Sequence, residues 1–180
     1  MSTGTGAVVW ELDGRLLGLL TDLGVPFERV DAGAYVVELH GQRRPRTLLW
    51  LIAGEQAVQL EAFVMHVIAG HLVDDDPGRV HAHLLRRNLG LRTVHYATDD
   101  VGDLFLVGSL PHEALHEGGL DVVLGEVLSL LETDGPKLQA LAYGDRLEQD
   151  EALAAKVRAD GAGRRPAGTP ERAPHRDVRR

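Results

Sequence analysis

One spacing in this sequence spells a recognisable chemistry, His112-Glu113-Ala114-Leu115-His116. On an α-helix, HExxH sets two imidazoles one turn apart on one face, where they bind zinc while the glutamate activates a metal-bound water. The surroundings weigh against that use. The extended motif needs a histidine at position 122, which is Val122, and Asp121 is one residue out of register. Glu126 or Glu132 would be left as a distant third ligand. Pro111 suits a helix start, but Gly118-Gly119 would weaken the helix where a metal site needs rigid support. A short surface turn with polar side chains is the plainer reading. A zinc-dependent hydrolase built on His112, Glu113 and His116 is the alternative.

Other chemistries lack their residues. There is no cysteine, which removes disulfides, thiolate metal sites and cysteine nucleophiles. No GK[ST] marks a phosphate loop, and Gly4-Thr5-Gly6 lacks the preceding strand and third glycine of a dinucleotide turn. Ser2, Ser109 and Ser129 sit in no nucleophile elbow. Asp74-Asp75-Asp76 is more simply a helix cap than a calcium loop, and His81 and His83 are two apart on an expected helix and do not face each other. No cofactor is expected.

The elements that would position any site follow from periodicity. Leu12, Leu16, Leu19, Leu20 and Leu23 give a helix from about Glu11, closed by Gly24 and Pro26. Four strands are expected next: Phe27 to Val30, Tyr35 to Leu39 after the turn at Asp31-Ala32-Gly33, the apolar run Leu48 to Ile52, and Val58 to Val64. The continuous run Leu48 to Ile52 reads as a strand covered on both faces. Asp76 and Pro77 start a second helix, whose buried face is expected at Val80, Leu84, Leu85 and Leu89 with Gly90 closing it. A hairpin around Asp99 to Gly102 follows. A helix after Pro111 then runs through Leu131, and Asp134-Gly135-Pro136 restarts a last helix reaching about Val157. The order α-ββββ-α-ββ-α-α, with strands in runs, predicts an α+β fold with an antiparallel sheet of about six strands. Residues 1–10 are expected as a flexible N-terminus, 11–157 as the domain and 158–180 as a disordered basic tail.

The net charge of -8 is unevenly spread. From Lys156 onward eight cations stand against Asp160, Glu171 and Asp177, so the tail is about +5 and the rest about -13. An acidic body disfavours nucleic acid as the main partner and suits a cationic or amphipathic protein segment. A regulator touching nucleic acid through its arginine-rich tail is a further alternative. No apolar stretch is long enough to span a bilayer and no secretory pattern opens the chain, so a cytoplasmic location is expected.

Leu84-Leu85-Arg86-Arg87-Asn88 and Gly102-Asp103-Leu104-Phe105-Leu106-Val107-Gly108-Ser109-Leu110-Pro111, with Leu120 to Leu128 and the upstream Arg46 to Leu51, resemble the YbjN family of small bacterial proteins. The likeness runs from roughly Leu12 to Asp150. It implies a fold similar to type III secretion chaperones, with members described as regulators or chaperone-like proteins and no enzymatic residues to carry over. His95-Tyr96-Ala97-Thr98 is more polar than that pattern, and Tyr143 is retained where other aromatics of the last helix are missing. The expected function is a non-enzymatic, chaperone-like or regulatory protein-binding module, acting as a homodimer, with Trp50, Phe63 and Phe105 as sheet-surface contacts. Aromatic residues in strands also serve as plain core.

Overall fold

Residues 4–67, 72–73 and 76–144 are described by a computed structural model. Helix α1 (Gly4–Leu23) leads into β1 (Phe27–Asp31), β2 (Ala34–Leu39), β3 (Thr47–Ala53) and β4 (Ala57–Met65). Helix α2 (Pro77–Asn88), β5 (Val94–Thr98), β6 (Leu104–Pro111) and α3 (Glu117–Tyr143) follow. The six strands form one antiparallel sheet in the order β1-β2-β3-β4-β6-β5. This is the expected α+β architecture and element order.

All three helices pack on one face of the sheet. Leu12, Leu16 and Leu20 of α1, Val80 and Leu84 of α2, and Leu120, Val123, Val127 and Leu131 of α3 share one cluster with alternate residues of the strands. From β3 that cluster takes Leu49 and Leu51, both 0% exposed, whereas Leu48, Trp50 and Ile52 point the other way and stay half-buried. The run Leu48 to Ile52 is therefore not covered equally on both faces, as its unbroken apolar sequence suggests. Strand geometry sends neighbouring side chains to opposite faces, whatever their polarity.

The structure revises three further expectations. Helix α1 begins at Gly4, because the leucine pattern marks the packed part of the helix and not its start. In α2 only Val80 and Leu84 are buried, while Leu85 and Leu89 face solvent. The two helical stretches after Pro111 are one helix, with Pro136 inside α3. A proline in a helix interior costs about 3 kcal/mol. Here Leu131 before it and Leu138, Ala142 and Tyr143 after it are all buried, and each large apolar side chain contributes about 1.5–3 kcal/mol. Finally, Asp76 caps α2 as expected, accepting from the Gly78 N–H at 2.8 Å, but Asp74, Asp75, the stretch to Val157 and the tail lie outside the described residues.

Carboxylates tie the helices to the sheet. Asp13, on the packed side of α1, accepts from Arg29 Nη2 (2.7 Å) and Nε (3.1 Å), from Gly33 N–H (2.8 Å) and from Tyr35 Oη (2.7 Å). Gly33, at φ 72°, forms the β1–β2 turn, so one side chain fixes α1 on the first hairpin. Burial pushes the Asp13 carboxyl up, but the hydrogen bonds from Arg29, Gly33 and Tyr35 outweigh it and hold it below its ordinary value. Burial, aided by the bond to Asp13, pushes the Tyr35 phenol up to about 12. On α3, the Glu132 carboxylate accepts from the Arg43 and Arg44 backbone N–H groups at 2.8–3.0 Å, and these bonds lower its pKa. A side chain on Gly41 would collide with that carboxylate. The Arg44 guanidinium reaches under β4 to the Val64 and Phe63 carbonyls (2.7 and 2.9 Å).

Asp13 has a depressed folded pKa, so its contribution is present above about pH 4, the unfolded carboxyl value, and is lost as pH falls through the lower folded one. Tyr35 has a raised folded pKa, so its contribution is lost as pH rises from about 10 toward the folded value. Asp13→Ala should lower stability by about 2 kcal/mol, by leaving the Tyr35 hydroxyl and Gly33 N–H unpaired. Urea unfolding across pH checks both: Asp13→Asn should flatten the acid limb, and Tyr35→Phe the alkaline one.

Candidate functional site

The sheet face turned away from the helices is built by register. One row of paired residues crosses all six strands: Glu28, Val36, Trp50, Glu61, Val107 and His95. Ile52, Gln59 and Ser109 make a neighbouring row, and Phe63, Phe105 and Ala97 another. Val36, Leu48, Trp50 and Ile52 of β2 and β3 are all half-buried, an apolar patch bordered by Glu28, Glu38 and Glu61, and Glu61 separates Trp50 from the half-buried Val107 of β6. Glu38 is held by Arg46 at 2.9 Å, with His40 3.3 Å away. A shallow groove of about 500 Å³ runs along this face over β4, β6 and β5, lined by Ile52, Gln59, Glu61, His95, Val107 and Ser109.

The three aromatic residues singled out from sequence lie on this one face but not in one cluster. Phe63 and Phe105 pack edge to face with centroids 5.5 Å apart, and each is 8% exposed. The His66 ring lies tilted against Phe63 with centroids 4.7 Å apart, and its Nδ1 lies 2.7 Å from Asp103 Oδ2. Trp50 sits in the adjacent row beside Val36 and Glu61, and among the described residues no ring contact joins it to the phenylalanines. Phe63 and Phe105 therefore anchor one end of the face, while Trp50 occupies its half-buried centre.

The HExxH motif is not on an α-helix. His112 to Ala114 form a single 3-10 turn. The His112 Nε2 is 3.1 Å from the Gly54 carbonyl, its own carbonyl accepts from Arg15, and His116 lies on the following turn. His116 is instead the N-cap of α3, its Nδ1 accepting from the Gly119 N–H at 3.1 Å. Glu132, the distant ligand considered for zinc, is taken up by the Arg43–Arg44 backbone. Among the described residues no three His, Asp or Glu side chains converge as a metal site. The motif spells a turn and a cap.

The residues carrying the family resemblance have architectural jobs. Leu84 is core, and Arg87 donates from Nε to buried Asp134 of α3 at 2.6 Å, where the Tyr96 hydroxyl also binds at 3.0 Å. Asn88 accepts from the Tyr96 N–H (2.8 Å) and donates to its carbonyl (3.0 Å). Its carboxamide thus stands where a neighbouring strand would pair with the edge strand β5. Gly102, at φ 93°, makes the β5–β6 turn, and Leu104, Leu106 and Leu110 enter the core.

The YbjN family model, described as "Putative bacterial sensory transduction regulator", matches residues 13–140. The chain belongs to the YbjN family. An uncharacterized protein of Mycobacterium tuberculosis (strain ATCC 25618 / H37Rv) is 35% identical over 117 residues, 65% of this chain, and one of Mycobacterium leprae (strain TN) is 36% identical over 115, or 64%. The chain spans 61% and 60% of the length of these two relatives. The Yersinia pestis type III secretion chaperone SycH, solved with a stable fragment of YscM2, is similar at 17% identity and a TM-score of 0.48, over 68% of this chain and 98% of that one. Among the described residues no helix is long and apolar enough to cross a membrane.

Substitutions at two positions separate these roles. His116→Ala should cost about 1 kcal/mol and His116→Ser should restore it, since serine also caps a helix; a metal ligand would lose function in both. Asn88→Ala should cost about 1–2 kcal/mol by unpairing the Tyr96 backbone. It should also raise self-association through the uncovered β5 edge, read by thermal unfolding and light scattering.

Proposed function

We propose that this YbjN-family chain is a non-catalytic, chaperone-like binding protein whose sheet face opposite the helices holds an amphipathic segment of another protein. The observation that supports this most directly is the half-buried apolar patch of Val36, Leu48, Trp50 and Ile52 on β2 and β3, with Glu28, Glu38 and Glu61 around it. Apolar surface concentrated on one face and rimmed by charge is the usual form of a protein-binding patch. The acidic body selects for a basic or amphipathic segment, because complementary charge speeds encounter and disfavours acidic competitors. Trp50 is the anchor, as a large ring at the centre of a face typically carries a disproportionate share of binding energy. The binding unit is a homodimer.

Affinity purification from the native host tests this with three proteins: the full chain, a version ending at Ala159, and Trp50→Glu. One protein should be recovered in stoichiometric amount with the first two and lost with the third, whose circular dichroism stays unchanged. Recovery that survives Trp50→Glu moves the site off this face. A partner lost only on truncation would transfer the role to the arginine-rich tail.

A further inference from the structure

The charge that favours a basic segment on the outer sheet face has a counterpart in the chain itself. From Arg164 to Arg180 six arginines stand against Glu171 and Asp177. Pro166, Pro170 and Pro174 are set four residues apart among them, and Val178 is the one large aliphatic side chain. Both residue types suit a tryptophan. Its ring takes a guanidinium by cation–π attraction, and proline-rich segments dock on aromatic surface because their backbone is already extended.

The surround of Trp50 is acidic. Trp50 lies between Val36 and Glu61 in the register of β2, β3 and β4, and Glu28 lies one strand beyond Val36. Glu28 is exposed and, among the described residues, has no ion pair. Arg46, the near cation, is taken by Glu38. Arg92 and His95 line the groove at the far side of the face, so charge sorts along it, acidic at Trp50 and basic toward β5. Reach is sufficient. Helix α3 ends at Tyr143 with Gly144 as its cap, and residues 145–163 span about 40 Å even with the helix expected to Val157. That carries the chain round a sheet about 24 Å across and one layer of helices about 10 Å thick. Single exposed ion pairs are weak, but a tethered segment competes at an effective concentration on the order of 1 mM. A dissociation constant of about 0.1 mM then leaves the face about nine-tenths covered.

We propose that residues 164–180 dock in cis on the acidic surround of Trp50 and shield this face until a partner segment displaces them. The inference rests on the reading of that face as the binding site and adds its regulation.

The chain has no cysteine, so Ala173→Cys in the full-length protein accepts a single nitroxide label. The label should broaden the Trp50 indole resonance and the Val36 and Glu61 amides, and the broadening should fade in 1 M salt, where screening acts within about 3 Å. Glu28→Lys with Glu61→Lys should remove it at low salt, with unchanged circular dichroism. Should that pair misfold, Glu28→Lys alone, at an exposed strand position, should reduce it. A labelled peptide of residues 160–180 should bind the full chain about tenfold more tightly once Arg164, Arg165, Arg172, Arg176, Arg179 and Arg180 are changed to glutamine. Absence of broadening on this face, broadening indifferent to the charge reversal, equal broadening with label and isotope on different copies, or equal peptide affinity for the two chains would each overturn the inference. Partner capture on the arginine-to-glutamine chain reports separately on the face. Capture without broadening removes the role of the tail and keeps the binding site, and broadening without capture does the reverse.

Discussion

All three helices lie on one face of the sheet, and the rest of the molecule answers to that one-sidedness. Six strands spaced about 4.8 Å apart make a surface about 24 Å across, which three helices about 10 Å wide cover side by side. With α3 between α1 and α2, the order of contacts leaves little freedom in where each helix lies. Apolar packing sets the distance between the layers but is indifferent to sliding. Asp13, Glu132 and Asp134 supply the direction, each a carboxylate on a helix that meets hydrogen-bond donors from a defined strand, loop or neighbouring helix. Such buried or half-buried polar contacts are costly when unmade, which is why they discriminate between registers that oil alone would tolerate.

Much of this plan was legible beforehand. The alternation of Tyr35, Val37 and Leu39, and the caps at Gly24 and Asp76, gave the elements their places because local stereochemistry governs them. The failures share a cause. Whether Leu85 and Leu89 meet the core depends on how α2 is rotated against its neighbours, and Val80, Leu84, Leu85 and the cap residue Leu89 fit two faces equally well. The break expected at Asp134-Gly135-Pro136 is overridden by tertiary packing, with Asp134 tied to Arg87 and Tyr96. One signal was missed: a carboxylate at Asp13, on the same side of α1 as Leu16 and Leu20, marks a buried contact waiting for a partner.

The site was less legible than the fold. Trp50, Phe63 and Phe105 were placed on sheet surface by type and strand alone, and the pairing registers then put them on one face in different rows. The HExxH lesson is complementary. A motif encodes chemistry only with the backbone that aims it, and a 3-10 turn followed by a helix start aims His112 and His116 at backbone groups. In the same way, the stretch that marks the family, from Leu84 to Asn88, marks how α2, α3 and β5 are joined and leaves the outer face unspecified.

The outer face is made of every second residue of the strands, and the intervening residues make the core. Two surfaces are thus written in one stretch of chain on alternating positions, with little shared between them. Changes at Val36, Trp50 or Val107 can redraw the outer face while Tyr35, Val37, Leu49, Leu51 and Leu106 keep the helices in place. A scaffold read in this alternating way lets its outer surface drift, one exposed position at a time, without passing through an unfolded ancestor.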